Sequence, residues 1–196
     1  LRIVFLCMFM PFMVTAQTTT HPNNFILINH LKAATQPNLH EFNALRKIYL
    51  QDEIDEHFFA FIQFDVLPNE KVRKQISDET GIQFLNYLPQ NTYYTKIPSG
   101  IDVAPLYQYR VRGIYRILPE YKISPKLSSQ NFPSYILNDD GSININIIAF
   151  KNLNQQNLLS RFNAAGIKAN ALSPDYNIFT AKISPFSINQ AAAIPF

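Results

Sequence analysis

Apolar residues recur along this chain at every second position over short runs and at every third or fourth over longer ones. The switches between these two periods predict its elements. Phe58–Phe64 is dense in aromatic and branched residues and stops at Asp65 and Pro68, which predicts a strand. A helix is expected next, capped by Asn69, carrying Val72, Ile76 and Thr80 on one face and ended by Gly81. Ile82–Leu88 and Tyr93–Ile97 predict a hairpin that turns at Pro89-Gln90-Asn91. Ile101–Tyr109 reads as a short helix carrying Ile101, Ala104 and Leu106, and Val111–Leu118 as a last strand closed by Pro119.

The order β-α-β-β-α-β is the split βαβ pattern, an antiparallel sheet with helices on one face. It returns further along. Ile143, Ile145 and Ile147 alternate with Asn144 and Asn146, and Asn154 caps a helix carrying Leu158, Leu159, Phe162 and Ala165 before Gly166. Ile167–Leu172 and Ile178–Ile183 flank Pro174-Asp175, and Ile188–Ala193 begins a second helix. Phe58–Ile97 aligns with Asn144–Ile183 at an offset of 86, matching Phe64 to Phe150, Lys96 to Lys182 and Ile97 to Ile183, with Gly81-Ile82 meeting Gly166-Ile167 across a one-residue gap. The same offset carries the last strand past Phe196, so the second copy is expected to lack it, and the chain reads as the front piece of a longer polypeptide or a truncated reading frame, the alternative being a short protein whose gap a partner strand fills. The expected fold class is α+β, two tandem ferredoxin-like modules with helices on one face of each sheet. The expected divisions are a signal peptide at 1–16, a polar lead at 17–56, a first module at 57–118, a linker at 119–141 and a truncated second module at 142–196.

Arg2, the apolar run Ile3–Val14 and the small residues Val14-Thr15-Ala16 before Gln17 predict a secretory signal, hence an extracellular or periplasmic product. The run falls short of the roughly 20 apolar residues of a bilayer span, so no stable membrane anchor is expected. Cys7, the single cysteine, lies within it and rules out a disulfide framework. A net charge of +3 spread along the chain is too weak a bias for nucleic acid.

Catalytic chemistry finds little support. The histidines His21, His30, His40 and His57 all fall in the N-terminal third, and no His-Glu-x-x-His, Gly-x-Ser-x-Gly or phosphate-loop pattern occurs. His40-Glu41 has no second histidine four residues on, and Asp139-Asp140-Gly141-Ser142 lacks the alternating oxygen ligands of a calcium loop. The run Asp52, Glu53, Asp55 and Glu56 reads as solvated linker. No metal, cofactor or catalytic residue is therefore expected, and the chain is read as not an enzyme.

Phe58–Phe64 is apolar on both faces, whereas helices cover only one face of such a sheet. A second surface must cover the other: the second module, another chain or a further domain. Tyr94, Lys96, Arg112 and Arg116 are the candidate partner-binding residues on that surface.

Certain segments point to a family. Phe59-Ala60-Phe61-Ile62-Gln63-Phe64, the Asn86-Tyr87-Leu88-Pro89 and Asn91-Thr92-Tyr93 hairpin, and Val111-Arg112-Gly113-Ile114 followed by Leu118-Pro119-Glu120-Tyr121-Lys122-Ile123-Ser124-Pro125 resemble the N-terminal tandem prosegment of secreted bacterial subtilisin-like serine peptidases. The resemblance covers Phe58–Leu127, and Ile143–Phe196 more weakly. It implies a folding assistant and temporary inhibitor that lays its open sheet on a peptidase domain, in cis or in trans, while a C-terminal tail enters the substrate cleft. The catalytic segments of the family are absent from these 196 residues, as is the inhibitory tail. Two other readings are a secreted interaction or adhesion module and a small-ligand-binding regulatory module.

Overall fold

The structure, a computed structural model, describes residues 24–29, 31–150 and 153–195. The expected signal peptide, Cys7, His21 and His30 lie outside the described residues.

The expected polar lead is folded from Phe25 onward. A hairpin, β1 (Phe25–Ile28) and β2 (Leu31–Ala34), precedes a 3-10 turn (Leu39–Glu41) that runs into α1 (Phe42–Leu50). Phe42, Leu45 and Tyr49 stand at i, i+3 and i+7, and this stripe is what the helix buries, Phe42 and Tyr49 fully. The acidic run is exposed at Asp55 and Glu56 and also tied to the fold. Asp52 pairs with Arg116, Asp55 accepts from Asn157 Nδ2 at 2.7 Å, and the Glu53 carbonyl accepts from Arg161 at 2.6 Å.

Strands β3 (His57–Phe64), β4 (Gln83–Leu88), β5 (Thr92–Pro98) and β6 (Val111–Arg116) form one antiparallel sheet in the order β4-β5-β3-β6. Between β3 and β4 runs α2 (Glu70–Thr80), its first turn capped by the Asn69 side chain on Val72 N–H and its end turned by Gly81 at φ 75°. The second connection is a 3-10 helix (Ala104–Tyr109) rather than an α-helix, with Pro105 in its first turn and Arg110 already left-handed. The six residues between these stops wind as tighter 3-10 turns.

β3 divides its side chains between two cores. Phe58, Ala60, Ile62 and Phe64 face α2, α1 and the 3-10 helix with Ile76, Leu106 and Ile114. Phe59 and Phe61 face the other way, toward Ile26, Ile28, Ile123 and the second half of the chain. The hairpin is held over that face by Gln63, which is fully buried and fully satisfied. It accepts from Thr35 Oγ1 at 2.9 Å and donates to the carbonyls of Phe25 and Gln90 at 2.9 and 3.1 Å. The free edge of β6 is sealed by Asn38, whose amide donates to Ile114 O at 2.7 Å and accepts from Ile114 N–H at 2.9 Å, as a neighbouring strand would.

The expected linker also carries short helices, α3 (Pro119–Lys122) and α4 (Pro125–Ser128), and Ile123 between them is buried. The second half then forms β7 (Ile143–Ile148), α5 (Gln155–Ala164), β8 (Ala169–Ser173), β9 (Ile178–Ile183) and α6 (Ile188–Ala192), with an antiparallel sheet ordered β7-β9-β8. With all pairings antiparallel and helices packed on sheets, the fold is α+β.

The repeat is shifted from its expected alignment. Asn69 and Asn154 both cap helices, and Gly81 and Gly166 both follow them, an offset of 85. β3 to β7 keeps that offset, because buried Phe58, Ala60, Ile62 and Phe64 correspond to Ile143, Ile145, Ile147 and Ala149. Only from β5 to β9 is the offset 86, Ile97 pairing with Phe58 as Ile183 pairs with Ile143. The extra residue sits in the β8–β9 connection. Phe150 is therefore not the counterpart of Phe64, and its ring points out of its own half.

Candidate functional site

Phe150 closes the face that the doubly apolar strand leaves bare. Its ring stacks on Phe59 with centroids 3.9 Å apart and planes at 15°, and lies 4.8 Å from Tyr94. Ile26 and Ile28 of the hairpin, Ile123 and Tyr121 complete the cover. Of the three covers the sequence left open, the second half of the chain supplies one, together with the N-terminal hairpin.

The four candidate partner-binding residues do not share a surface. Tyr94 packs edge-on against Phe61 at 5.0 Å beneath Phe150, and burial drives its phenol well above the usual range. Lys96, opposite Phe59 on the same face, is buried. Arg112 is the extra residue of a β-bulge opposite Gln63 and Phe64; it is buried, donates to Asn24 Oδ1 at 3.2 Å and lies 3.7 Å from Asp65. Arg116 is opposite Ala60, on the helix side, and clasps Asp52 Oδ2 through Nε at 2.9 Å and Nη2 at 2.7 Å. Each serves the interior of the fold.

Beside this cover lies an open groove between the two halves, about 220 Å³ in volume. Phe61 and Tyr94, Tyr121 and Lys122 of α3, Leu127, the residues Ile145 to Ile148 of β7, and Ile188 of α6 are among its walls. This is below the roughly 300–1,000 Å³ of a typical small-molecule pocket. One charged side chain lines it. Lys122 donates to the Ile194 carbonyl at 2.5 Å and has no ion pair with a described carboxylate. Burial lowers its pKa to about 8; Asp52 works against that shift and Arg116 adds to it. Lys122 lies in the Leu118–Pro125 segment that carried the family resemblance, yet its place in a cavity wall has no signature in sequence spacing.

β7 meets this groove along its backbone. Ala149 N–H donates to Asn177 O at 3.0 Å across the β7–β9 pair. By alternation Ile143, Ile145 and Ile147 turn their backbone groups to β9, and Asn144, Asn146 and Ile148 turn theirs outward. No described strand pairs with that edge. Beside it, the face of the second sheet away from its helices carries Asn144, Asn146, Asn170 and Lys182, all exposed.

Among the described residues no three of His, Cys, Asp and Glu come together as metal ligands, and no helix is long and apolar enough to cross a membrane. Residues 16–118, more than half of the chain, match the family model described as a domain of unknown function, DUF8729. The chain belongs to this family. The DUF8729 match opens before β1 and ends two residues after β6, so hairpin, α1 and four-stranded sheet fall within one family unit. The groove reaches past that unit, since Lys122, β7 and α6 all lie beyond the DUF8729 boundary. No curated protein and no solved structure matches the chain.

Proposed function

We propose that this chain is an exported, noncatalytic, prosegment-like pair of ferredoxin-like modules, the second without its last strand, that assists the folding of a subtilisin-like serine peptidase domain and temporarily inhibits it. The observation that carries the reading is the strand order β4-β5-β3-β6 with its partial repeat β8-β9-β7, each built from strand, capped helix and hairpin. With the outer face of the first sheet covered by Phe150 and the hairpin, the docking surface falls to the open face of the second sheet. Asn144, Asn146, Asn170, Thr180 and Lys182 present amides, a hydroxyl and an ammonium there, chemistry suited to the polar surface of peptidase helices. A rigid surface that binds the native peptidase and not its unfolded chain shifts folding toward the native state and occupies it until cleavage.

The test mixes the full chain with a secreted subtilisin-like peptidase and measures turnover and recovery of activity after denaturation. Slower turnover and faster recovery, both lost in a variant with Asn146→Arg and Thr180→Glu, are expected. A chain that changes neither quantity eliminates the reading.

A further inference from the structure

We infer that the outer edge of β7 is a strand-addition site: an extended peptide with apolar side chains and a carboxylate pairs antiparallel with Asn144, Asn146 and Ile148 and occupies the groove that Lys122 lines. The inference stands on the edge and the groove and does not require the peptidase reading.

Three observations converge. The first is the edge itself. A cavity touching Ile145, Asn146, Ile147 and Ile148 in succession meets both faces of the strand, so it runs along the backbone. The outward N–H and C=O groups of Asn146 and Ile148 belong to that run, and unpaired groups of this kind are the usual template for a further strand.

The second is the internal repeat, which shows what such a strand looks like. Phe64 N–H donates to Asn91 O at 2.9 Å on the β5 side, so Phe59 and Phe61 turn their backbone groups to β6. Eighty-five residues on, these positions are Asn144 and Asn146, the outward-facing ones. β6 fills this place in the first sheet with Ile114 buried opposite Ile62 and Tyr115 opposite Phe61. An occupant with the same alternation would lie among Leu127, Ile188 and Ala191, which line the groove.

The third is charge. Lys122 is half-buried at the wall of a mostly apolar groove, with one hydrogen bond and no carboxylate partner among the described residues. A carboxylate on the entering segment would meet the single cation it can reach, at a site where desolvation makes an ion pair stronger than at the surface.

The experiment uses the full chain and an acetylated, amidated heptapeptide with the Val111–Ile117 sequence in which both arginines are glutamate, and compares it with the parent arginine peptide. Amide exchange by NMR is expected to slow at least tenfold at Asn144, Asn146 and Ile148 on saturation with the glutamate peptide. Ile145 and Ile147, already bonded to β9, should change little. The arginine peptide should bind at least fivefold more weakly, and Lys122→Met should abolish that difference. Asn146→Pro, which removes only an outward N–H, should keep the wild-type melting curve and lose the peptide. If this variant does not fold, the Lys122→Met comparison decides alone. Absence of protection at millimolar peptide overturns the inference, as does uniform slowing across all strands. Protection that appears with protein concentration alone also overturns it, by making a second copy of the chain the occupant.

Discussion

Replacing Lys122 by methionine should stabilise the protein at neutral pH and remove a pH dependence that the native chain carries. The ammonium is held in a largely apolar groove with one hydrogen bond to the Ile194 carbonyl, and burial lowers its pKa from 10.5 to about 8. Between these values the unfolded chain binds more protons than the folded one, so stability must rise with pH across that window and suffer the full penalty below it. At about 1.4 kcal/mol per pKa unit, the gain between pH 7 and pH 9.5 comes to roughly 2 kcal/mol. Above pH 10 the sign reverses. Burial raises Tyr49 and Tyr115 to about 12, so the unfolded chain loses phenolic protons first and stability falls. Asp52 and Arg116 act on the ammonium with opposite effects, Asp52 raising its pKa and Arg116 lowering it. Urea unfolding of wild type and Lys122→Met at half-unit intervals from pH 7 to pH 10 isolates the lysine contribution as the difference between the curves. That difference should shrink from about 3 kcal/mol toward 1 kcal/mol over this range. Parallel curves would refute the reasoning, because they would mean that Lys122 is solvated in the folded state.

Phe150→Ala removes the ring stacked on Phe59 and is expected to cost about 2–4 kcal/mol, with roughly 1 kcal/mol of coupling to Phe59 in a double-mutant cycle measured by denaturant unfolding. Gly113→Ala places a methyl against Asn38 Oδ1 and the Tyr115 hydroxyl, at the point where Asn38 seals β6. The variant should lose more than about 2 kcal/mol and speed amide exchange at Ile114, whereas Gly141→Ala meets no neighbouring atom and reports only the cost of its positive φ.

The regular elements were legible where capping and period agree. Asn69 with Gly81 and Asn154 with Gly166 bracket helices that form, and the strands β3 to β6 and β7 to β9 fall within a few residues of their expected spans. The hairpin at Phe25–Ala34 escaped because two four-residue strands offer too few positions to show a period, whereas α1 was missed although Phe42, Leu45 and Tyr49 carry a helical stripe. The repeat was visible but its register was not. Phe64 and Phe150 match by identity, while the pleat matches Phe64 to Ala149, and only strand pairing reveals which of two adjacent residues points inward. The candidate site suffered from the same limit. Alternation told that β3 is apolar on both faces, but the identity of the cover depends on where Phe150 and the hairpin travel, which is a property of tertiary packing. Lys122 and the outer edge of β7 emerge only once both halves are assembled.

The placement of Phe150 bears on how the molecule can be cut. A fragment ending at residue 118 keeps every strand of the first sheet and the hairpin over it but sheds Phe150, Tyr121 and Ile123, so that Phe59 and Tyr94 lose the ring that packs on both. Such a piece should be prone to precipitation, and the intact chain should melt in a single calorimetric step. The smallest soluble portion of this polypeptide is thus expected to exceed the stretch that its family model matches.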